Sequence, residues 1–265
     1  METQSIKDGN SDFYDSEVDK DTITEFWKDK EFKELISNST NISDDMNPKV
    51  LIEFGCGVGN SLIPLLQISK DLHCIGFDCS SRAISLFEER WNKILANLEN
   101  DEKNSKICPF NCLKDSDKPC TRFRGFVFDI VHSDIPTYIC PESFADFGLL
   151  IFVLSAIHPK HHQDVITRCS KSLKSGATLL FRDYGRYDMA QLRFAKSSKS
   201  KITDNFYVRY DGTFAYYFTI EEIEKLFVNA GFKVISNHYC LREVVNRKTQ
   251  VTMQRVWIQA KFTKI

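Results

Sequence analysis

The chain has 265 residues, of which 42% are hydrophobic and 27% charged, and its net charge is −1. That length makes one large or two small domains, and the apolar content builds a buried core, which excludes a largely disordered chain. No apolar run is long enough to span a membrane and the acidic start is unlike a signal or transit peptide, so a soluble intracellular protein is expected.

The charge is unevenly spread. Residues 1–45 carry 13 Asp and Glu against 5 Lys. Residues 182–209 carry 7 basic side chains against 3 acidic, and residues 233–264 carry 7 against Glu243 alone. An acidic head and a basic C-terminal half can present one face to a phosphate backbone, although ordinary solvated charge reads the same way.

In chain order, residues 1–47 read as an acidic lead-in with the aromatic anchors Phe13-Tyr14 and Phe26-Trp27, ending in a polar linker, and residues 48–265 as the main domain. Val50 to Phe54 is a short apolar run that predicts a buried strand. Gly55, Gly57 and Gly59 follow, and Ser61 to Leu66 starts a helical pattern running to about Ile68. Glycines at such a junction permit a sharp turn and a close approach to a ligand. A dinucleotide fingerprint needs its third glycine at the place occupied here by Asn60. A second strand over Leu72–Phe77 ends at Asp78, where a carboxylate can accept both hydroxyls of a ribose. Ser80 or Ser81 caps a helix through Leu95, and the pattern then dissolves into a Cys-bearing insertion over 97–124.

A third strand is predicted over Phe126–Phe128 before Asp129, and a fourth over Phe144–Phe152. A helix over about Lys160–Leu173 is stopped by Ser175-Gly176, and Ala177–Phe181 forms a fifth strand. Residues 184–217 read as an irregular aromatic and basic insertion suited to substrate binding. Thr219 caps a helix that Gly231 ends, and strands over about 232–241 and 251–262 finish the chain. Alternating strands and helices imply an α/β fold, a doubly wound and mostly parallel sheet whose ligands bind at the C-terminal strand ends. Nine cysteines, an odd number with no Cys-x-x-Cys, suit reduced thiols better than disulfides. Cys108, Cys112 and Cys120 cluster without a nameable fourth ligand, so no metal site is expected.

Glu53 to Gly59 spells Glu-x-Gly-x-Gly-x-Gly, which resembles the S-adenosylmethionine loop of Rossmann-like class I methyltransferases. Over nearly its whole length the chain is similar to the eukaryotic tRNA 3-methylcytidine methyltransferases. The segments that carry this are Glu53–Asn60, Asp78 with Ser80–Ile84, Pro141–Ser143, Leu150–Pro159 (LIFVLSAIHP) and Phe181–Gly185 (FRDYG). Asn205–Arg209 with Asp211–Thr213 and Arg242–Asn246 add to them. The stretch Thr252–Gln259 looks closer to the branch acting on threonine tRNAs.

The resemblance implies a sheet with an antiparallel last strand and helices on both faces, and methyl transfer from S-adenosylmethionine to N3 of cytidine at the base of the anticodon loop. It implies Tyr14, Gly55, Gly57, Asp78, Asp129, Ile130 and Ile151 at the cofactor. Arg182 and Asp183 are expected at the target base, with Phe152, Tyr184 and Arg209 around it. Threonine or serine tRNAs are the implied partners, an aminoacyl-tRNA synthetase is a candidate helper, and the cytoplasm, with the nucleus second, is the expected compartment. The family's N-terminal Trp-Asp-x-Phe-Tyr stands here as Asn10–Tyr14, and its basic Phe-Phe-Lys-Asp-Arg as Asp21–Glu25. Two other readings stay open at this point: a methyltransferase acting on a protein or small molecule, and a non-catalytic subunit that keeps the fold.

Overall fold

The computed structural model describes residues 49–69, 72–101, 122–197, 199–245 and 252–265, all within a unit that spans 45–265. The expectations for the 1–47 lead-in, including Tyr14, lie outside the described residues, as do Cys108, Cys112 and Cys120.

A seven-stranded sheet organises the chain. Its strands are β1 (Lys49–Phe54), β2 (Leu72–Asp78), β3 (Phe123–Val127), β4 (Ala145–Ile151), β5 (Leu173–Tyr184), β9 (Phe232–Val245) and β10 (Thr252–Lys264), in the order β3-β2-β1-β4-β5-β10-β9. Strands β3 to β5 pair in parallel, and β10 runs antiparallel to both β5 and β9. Four successive buried residues, Leu51–Phe54, reflect a strand covered on both faces.

From β1 the chain moves outward through α1 (Leu62–Ile68) to β2 and through α2 (Ser81–Asp101) to β3. It then returns to the other side of β1, where α3 (His162–Ser172) links β4 to β5. Right-handed crossovers in opposite directions place their helices on opposite faces, which is the doubly wound arrangement. The order reverses between β1 and β4, so a crevice opens at their C-terminal ends. Phe54, Phe77, Phe181, Ile258 and Phe262 are fully or almost fully buried in the core around those strands.

Three elements differ from the sequence reading. Helix α2 runs to Asp101 and β3 starts at Phe123, so both reach into the predicted insertion. Its return is pinned by buried Arg122, whose Nη1 and Nη2 donate to Ser69 O (2.7 Å) and Leu66 O (2.9 Å) at the end of α1. That arrangement satisfies carbonyls the helix leaves open. Strand β5 begins at Leu173 and carries Ser175-Gly176 as a left-handed kink (Gly176 φ 81°) rather than as a break before the strand.

The third difference is residues 184–217, whose described residues form regular elements rather than an irregular stretch. They contain α4 (Met189–Ala195) and a three-stranded antiparallel sheet of β6 (Lys201–Thr203), β7 (Phe206–Val208) and β8 (Phe214–Tyr216). Three-residue strands are too short for a period-2 signal to stand out from a run of aromatics. Helix α5 (Ile220–Asn229) follows behind a complete capping box between Thr219 and Glu222.

Candidate functional site

The crevice is built first by the turn between β1 and α1. Gly55, Gly57 and Gly59 have φ of 77°, 52° and 77°, a region in which L side chains are strained. A Cβ on Gly55 would meet Val153 Cγ2 at 2.5 Å, and one on Gly59 would meet the Phe87 ring at 2.4 Å. Those two glycines seat the loop against its neighbours. Among the described residues a Cβ on Gly57 would meet nothing within 4 Å, so the crest of the loop is open on their side.

Asp78, at the end of β2, locks this crest. Its Oδ2 accepts from Gly57 N and its Oδ1 from Ser80 N, both at 2.9 Å. Each carboxylate oxygen keeps a second lone pair for a ligand. Beside it Glu53 is buried, and its Oε2 meets no hydrogen-bond donor among the described residues. Desolvation pushes the Glu53 carboxyl up to about 8, offset in part by the Ser61 hydroxyl and reinforced by the charge on Asp78.

On β3's outgoing turn, Asp129 Oδ1 accepts from Val131 N (2.9 Å), and Arg168 holds the carbonyls of Ile130 and Val131 at 3.0 and 2.7 Å. Ile130 is buried and Ile151 half-buried. The structure therefore places Gly55, Gly57, Asp78, Asp129, Ile130 and Ile151 along the C-terminal ends of adjacent strands. An open loop crest, a carboxylate with spare lone pairs and a buried acid with one unpartnered oxygen among the described residues fit the S-adenosylmethionine implied by the glycine pattern. Asp78→Ala is expected to weaken cofactor binding by at least ~1.5 kcal/mol, the scale of a charge-assisted hydrogen bond. Titration calorimetry checks it, and unchanged affinity removes Asp78 from the site.

Next to this cradle lies an aromatic and cationic group. Phe152, just past β4, has φ 55°, a costly conformation for a bulky side chain, and its N–H donates to Arg182 O at 2.8 Å. Its ring lies 5.1 Å from Tyr184 and 5.6 Å from Trp257. The guanidinium of Arg182 sits over Trp257 at 5.5 Å, and that of Arg209 over Tyr184 at 5.5 Å. Arg255 reaches both rings, at 5.4 and 5.9 Å.

Arg182 and Asp183 are not brought together. As neighbours on a strand they direct their side chains to opposite faces. Arg182 is buried, with Nη2 donating to Gln259 Oε1. Asp183 is fully buried and accepts Ser155 N on Oδ2 and Tyr184 N on Oδ1, both at 2.9 Å. Burial pushes its carboxyl up to about 6 against the pull of those donors. Asp183 thus positions the loop after β4, while Arg182 lies with the aromatic group.

Sequence reasoning did not assign Glu53, Trp257 or Arg255 to the site, although Trp257 and Arg255 lie in the family-like stretch Thr252–Gln259. Trp257 faces Tyr184 through the β10–β5 register, a pairing that no local pattern encodes. Arg255 is held by Asp188, a fully buried carboxylate that also accepts Val256 N and Ala190 N.

A family model described as a methyltransferase domain matches residues 26–237. The chain is 42% identical over 218 residues to tRNA N(3)-cytidine methyltransferase METTL2 of Bos taurus, covering 81% of this chain and 50% of that protein. It is 38% identical to tRNA N(3)-cytidine methyltransferase METTL6 of Homo sapiens, covering 90% of this chain and 73% of that protein. O-methyltransferase 3 of Dictyostelium discoideum is 36% identical, with 89% of this chain and 50% of that protein covered. Among solved structures, magnesium protoporphyrin IX methyltransferase from Synechocystis PCC 6803 with bound SAH superposes with a TM-score of 0.57 at 14% identity, covering 98% of this chain and 90% of that one. The chain spans about half the length of several of the curated relatives it matches.

Proposed function

The chain belongs to the tRNA N(3)-cytidine methyltransferase family, and from that premise we propose that it methylates N3 of a cytidine in the tRNA anticodon loop, using S-adenosylmethionine. The observation that carries this reading is the juxtaposition at neighbouring strand ends of a cofactor cradle and an aromatic–guanidinium group. The glycine loop and Asp78 form the first, and Phe152, Tyr184 and Trp257 with Arg182 and Arg209 form the second. Unpaired bases are bound by stacking on aromatic rings and guanidinium planes, which is the chemistry this second group offers.

S-adenosylmethionine, when bound, would supply the methyl group as an electrophile, with a neutral thioether as its leaving group. Cytosine N3 carries an in-plane lone pair, so it can accept that methyl group with no proton removed first. The protein's task is therefore placement and electrostatics. The Gly57 crest and Asp78 fix the cofactor end. Phe152 and Tyr184 hold the base, turned out of its stack. Asp183 fixes the loop carrying Ser155 and so the position of Phe152.

The experiment is incubation of the protein with methyl-labelled cofactor and total tRNA, followed by nucleoside mass spectrometry. Labelled 3-methylcytidine supports the proposal. Label on ribose hydroxyls, on protein or on a small molecule overturns it in favour of another acceptor, and absence of label with retained cofactor binding points to a non-catalytic subunit. The relative named as an O-methyltransferase makes the ribose arm a necessary comparison. We place threonine or serine tRNAs as substrates, a synthetase as helper and the cytoplasm, with the nucleus second, as compartment. Sequencing the modified tRNAs, pull-down and fractionation test these in turn.

Binding to tRNA is expected to be electrostatic, because residues 182–209 and 233–264 are basic. Affinity measured from 50 to 200 mM salt should fall by about tenfold or more. A flat profile would remove these segments from the RNA contact.

A further inference from the structure

Two tyrosines in the 184–217 segment are displayed to solvent in a way that folding does not explain. Tyr210 is wholly exposed (105%) and Tyr187 nearly so (76%), and neither ring has an aromatic, cationic or hydrogen-bonded partner among the described residues. Exposed rings in flexible loops are ordinary, but both of these stand on fixed backbone.

Tyr210 tops the turn between β7 and β8. Arg209 N donates to Thr213 O (2.7 Å) and Gly212 N to Arg209 O (3.0 Å). Asp211 Oδ1 accepts both the N–H and the hydroxyl of Thr213, at 3.0 and 2.7 Å. Tyr187 has φ 67°, a left-handed conformation that costs a non-glycine residue energy and that its exposed ring does nothing to offset. Its N–H is tied to Oε1 of buried Gln191 (2.6 Å), whose Nε2 donates to Asn205 Oδ1 (3.1 Å). Asn205 is itself left-handed (φ 60°) and its carbonyl accepts Tyr217 N at 3.0 Å. One buried amide thus ties the Tyr187 backbone to the hairpin that carries Tyr210.

Both tyrosines adjoin residues of the site's aromatic group along the chain. Tyr187 follows Tyr184 by three residues, and Tyr210 adjoins Arg209, whose guanidinium lies over the Tyr184 ring at 5.5 Å. A pre-ordered tyrosine offers a large flat face at little conformational cost on binding. We propose that Tyr187 and Tyr210 are stacking platforms for unpaired bases flanking the target cytidine, so that the insertion grips the RNA loop while the site holds the extruded base. This rests on the tRNA reading above. Exposed basic side chains in the same segment, Arg193, Lys196 and Lys199, favour an RNA loop over an apolar protein partner as the occupant.

The test uses the full chain with Tyr187→Ala, Tyr210→Ala, the corresponding Phe variants and Tyr187→Gly, read by tRNA affinity, KM, kcat and melting temperature. Each Ala variant should weaken tRNA binding by about tenfold, the scale of one lost stacked base, with the loss in KM rather than kcat. The Phe variants should bind within about twofold of wild type, because stacking needs the ring and not the hydroxyl. Tyr187→Gly relieves a left-handed residue and should melt no lower than wild type while losing RNA affinity. Ala variants that bind as tightly as wild type, Phe variants as weak as Ala, or affinity loss that only tracks a fall in melting temperature would each overturn the inference. The outcomes also separate it from the proposed reaction. Wild-type methylation of cytidine with unaffected Ala variants removes this inference alone. Binding lost in the variants of a protein that does not methylate cytidine leaves it standing and removes the reaction.

Discussion

Glu53→Gln is expected to stabilise the protein at pH 8 and to flatten its stability profile between pH 6.5 and 8. The Glu53 carboxyl is raised from 4.5 to about 8, chiefly by burial, so over that range the folded chain keeps a proton that the unfolded chain has lost. A group raised in this way gives stability that is fully present below the unfolded value and is lost as pH rises through the folded one. The loss across that window is roughly 1.5–2 kcal/mol, at about 1.36 kcal/mol per unit of pH. Asp183, raised from 3.8 to about 6, acts in the same sense but only below pH 6. Buried His162, lowered from 6.5 to about 4 by desolvation, opposes both: its contribution is present above pH 6.5 and is lost as pH falls through about 4. The two buried carboxyls and this histidine therefore mix below pH 6.5, and Glu53 acts alone among them above it. The exposed carboxylates Asp134, Asp204 and Glu221 are lowered and screened, and bear only on more acidic conditions. Melting temperatures of wild type and Glu53→Gln at half-unit pH steps decide it. Parallel profiles from 6.5 to 8 would show that Glu53 is ionised in the fold.

The parts of this molecule that could be read from residue order are those with local causes. The β1 run, the glycine turn, the Thr219 capping box and Gly231 past α5 each declare themselves within a few residues, and the structure has them where expected. The fold class follows from the alternation of such elements. The Asp78 carboxylate was legible too, because a strand end a fixed distance from a glycine turn has few other places to go. What could not be read depends on register between distant strands. Trp257 opposite Tyr184, Arg255 against Asp188 and Arg122 under α1 are contacts between segments tens of residues apart. Arg182 and Asp183 illustrate the remaining error. Ending the fifth strand at Phe181 left both residues beyond it and together at the target base, yet β5 runs to Tyr184 and strand periodicity sends their side chains to opposite faces.

Separating those two residues gives the largest expected effect on catalysis. Asp183→Ala should destabilise the fold, because two backbone donors, Ser155 N and Tyr184 N, would lose their acceptor in a dry interior. Each such donor costs roughly 1–3 kcal/mol, so a loss of ~2–5 kcal/mol is expected and activity should fall with the folded fraction and with the displaced Phe152 loop. Asp183→Asn is no rescue, since only one amide atom can accept while the other donates toward an N–H. Arg182→Ala should behave differently. It removes the guanidinium from the Trp257 face while leaving the cofactor cradle and the Asp183 contacts in place. Cofactor affinity should persist while methylation falls by ~10²-fold or more, the usual scale for a misplaced reactant. Arg182→Lys distinguishes charge from shape: an ammonium keeps the charge but not the planar stacking, so activity should stay close to that of the alanine variant. Melting curves, calorimetry with the cofactor and single-turnover methylation are the measurements. An Arg182→Ala protein that melts far below wild type, yet whose folded fraction methylates normally, would make Arg182 a brace like its neighbour.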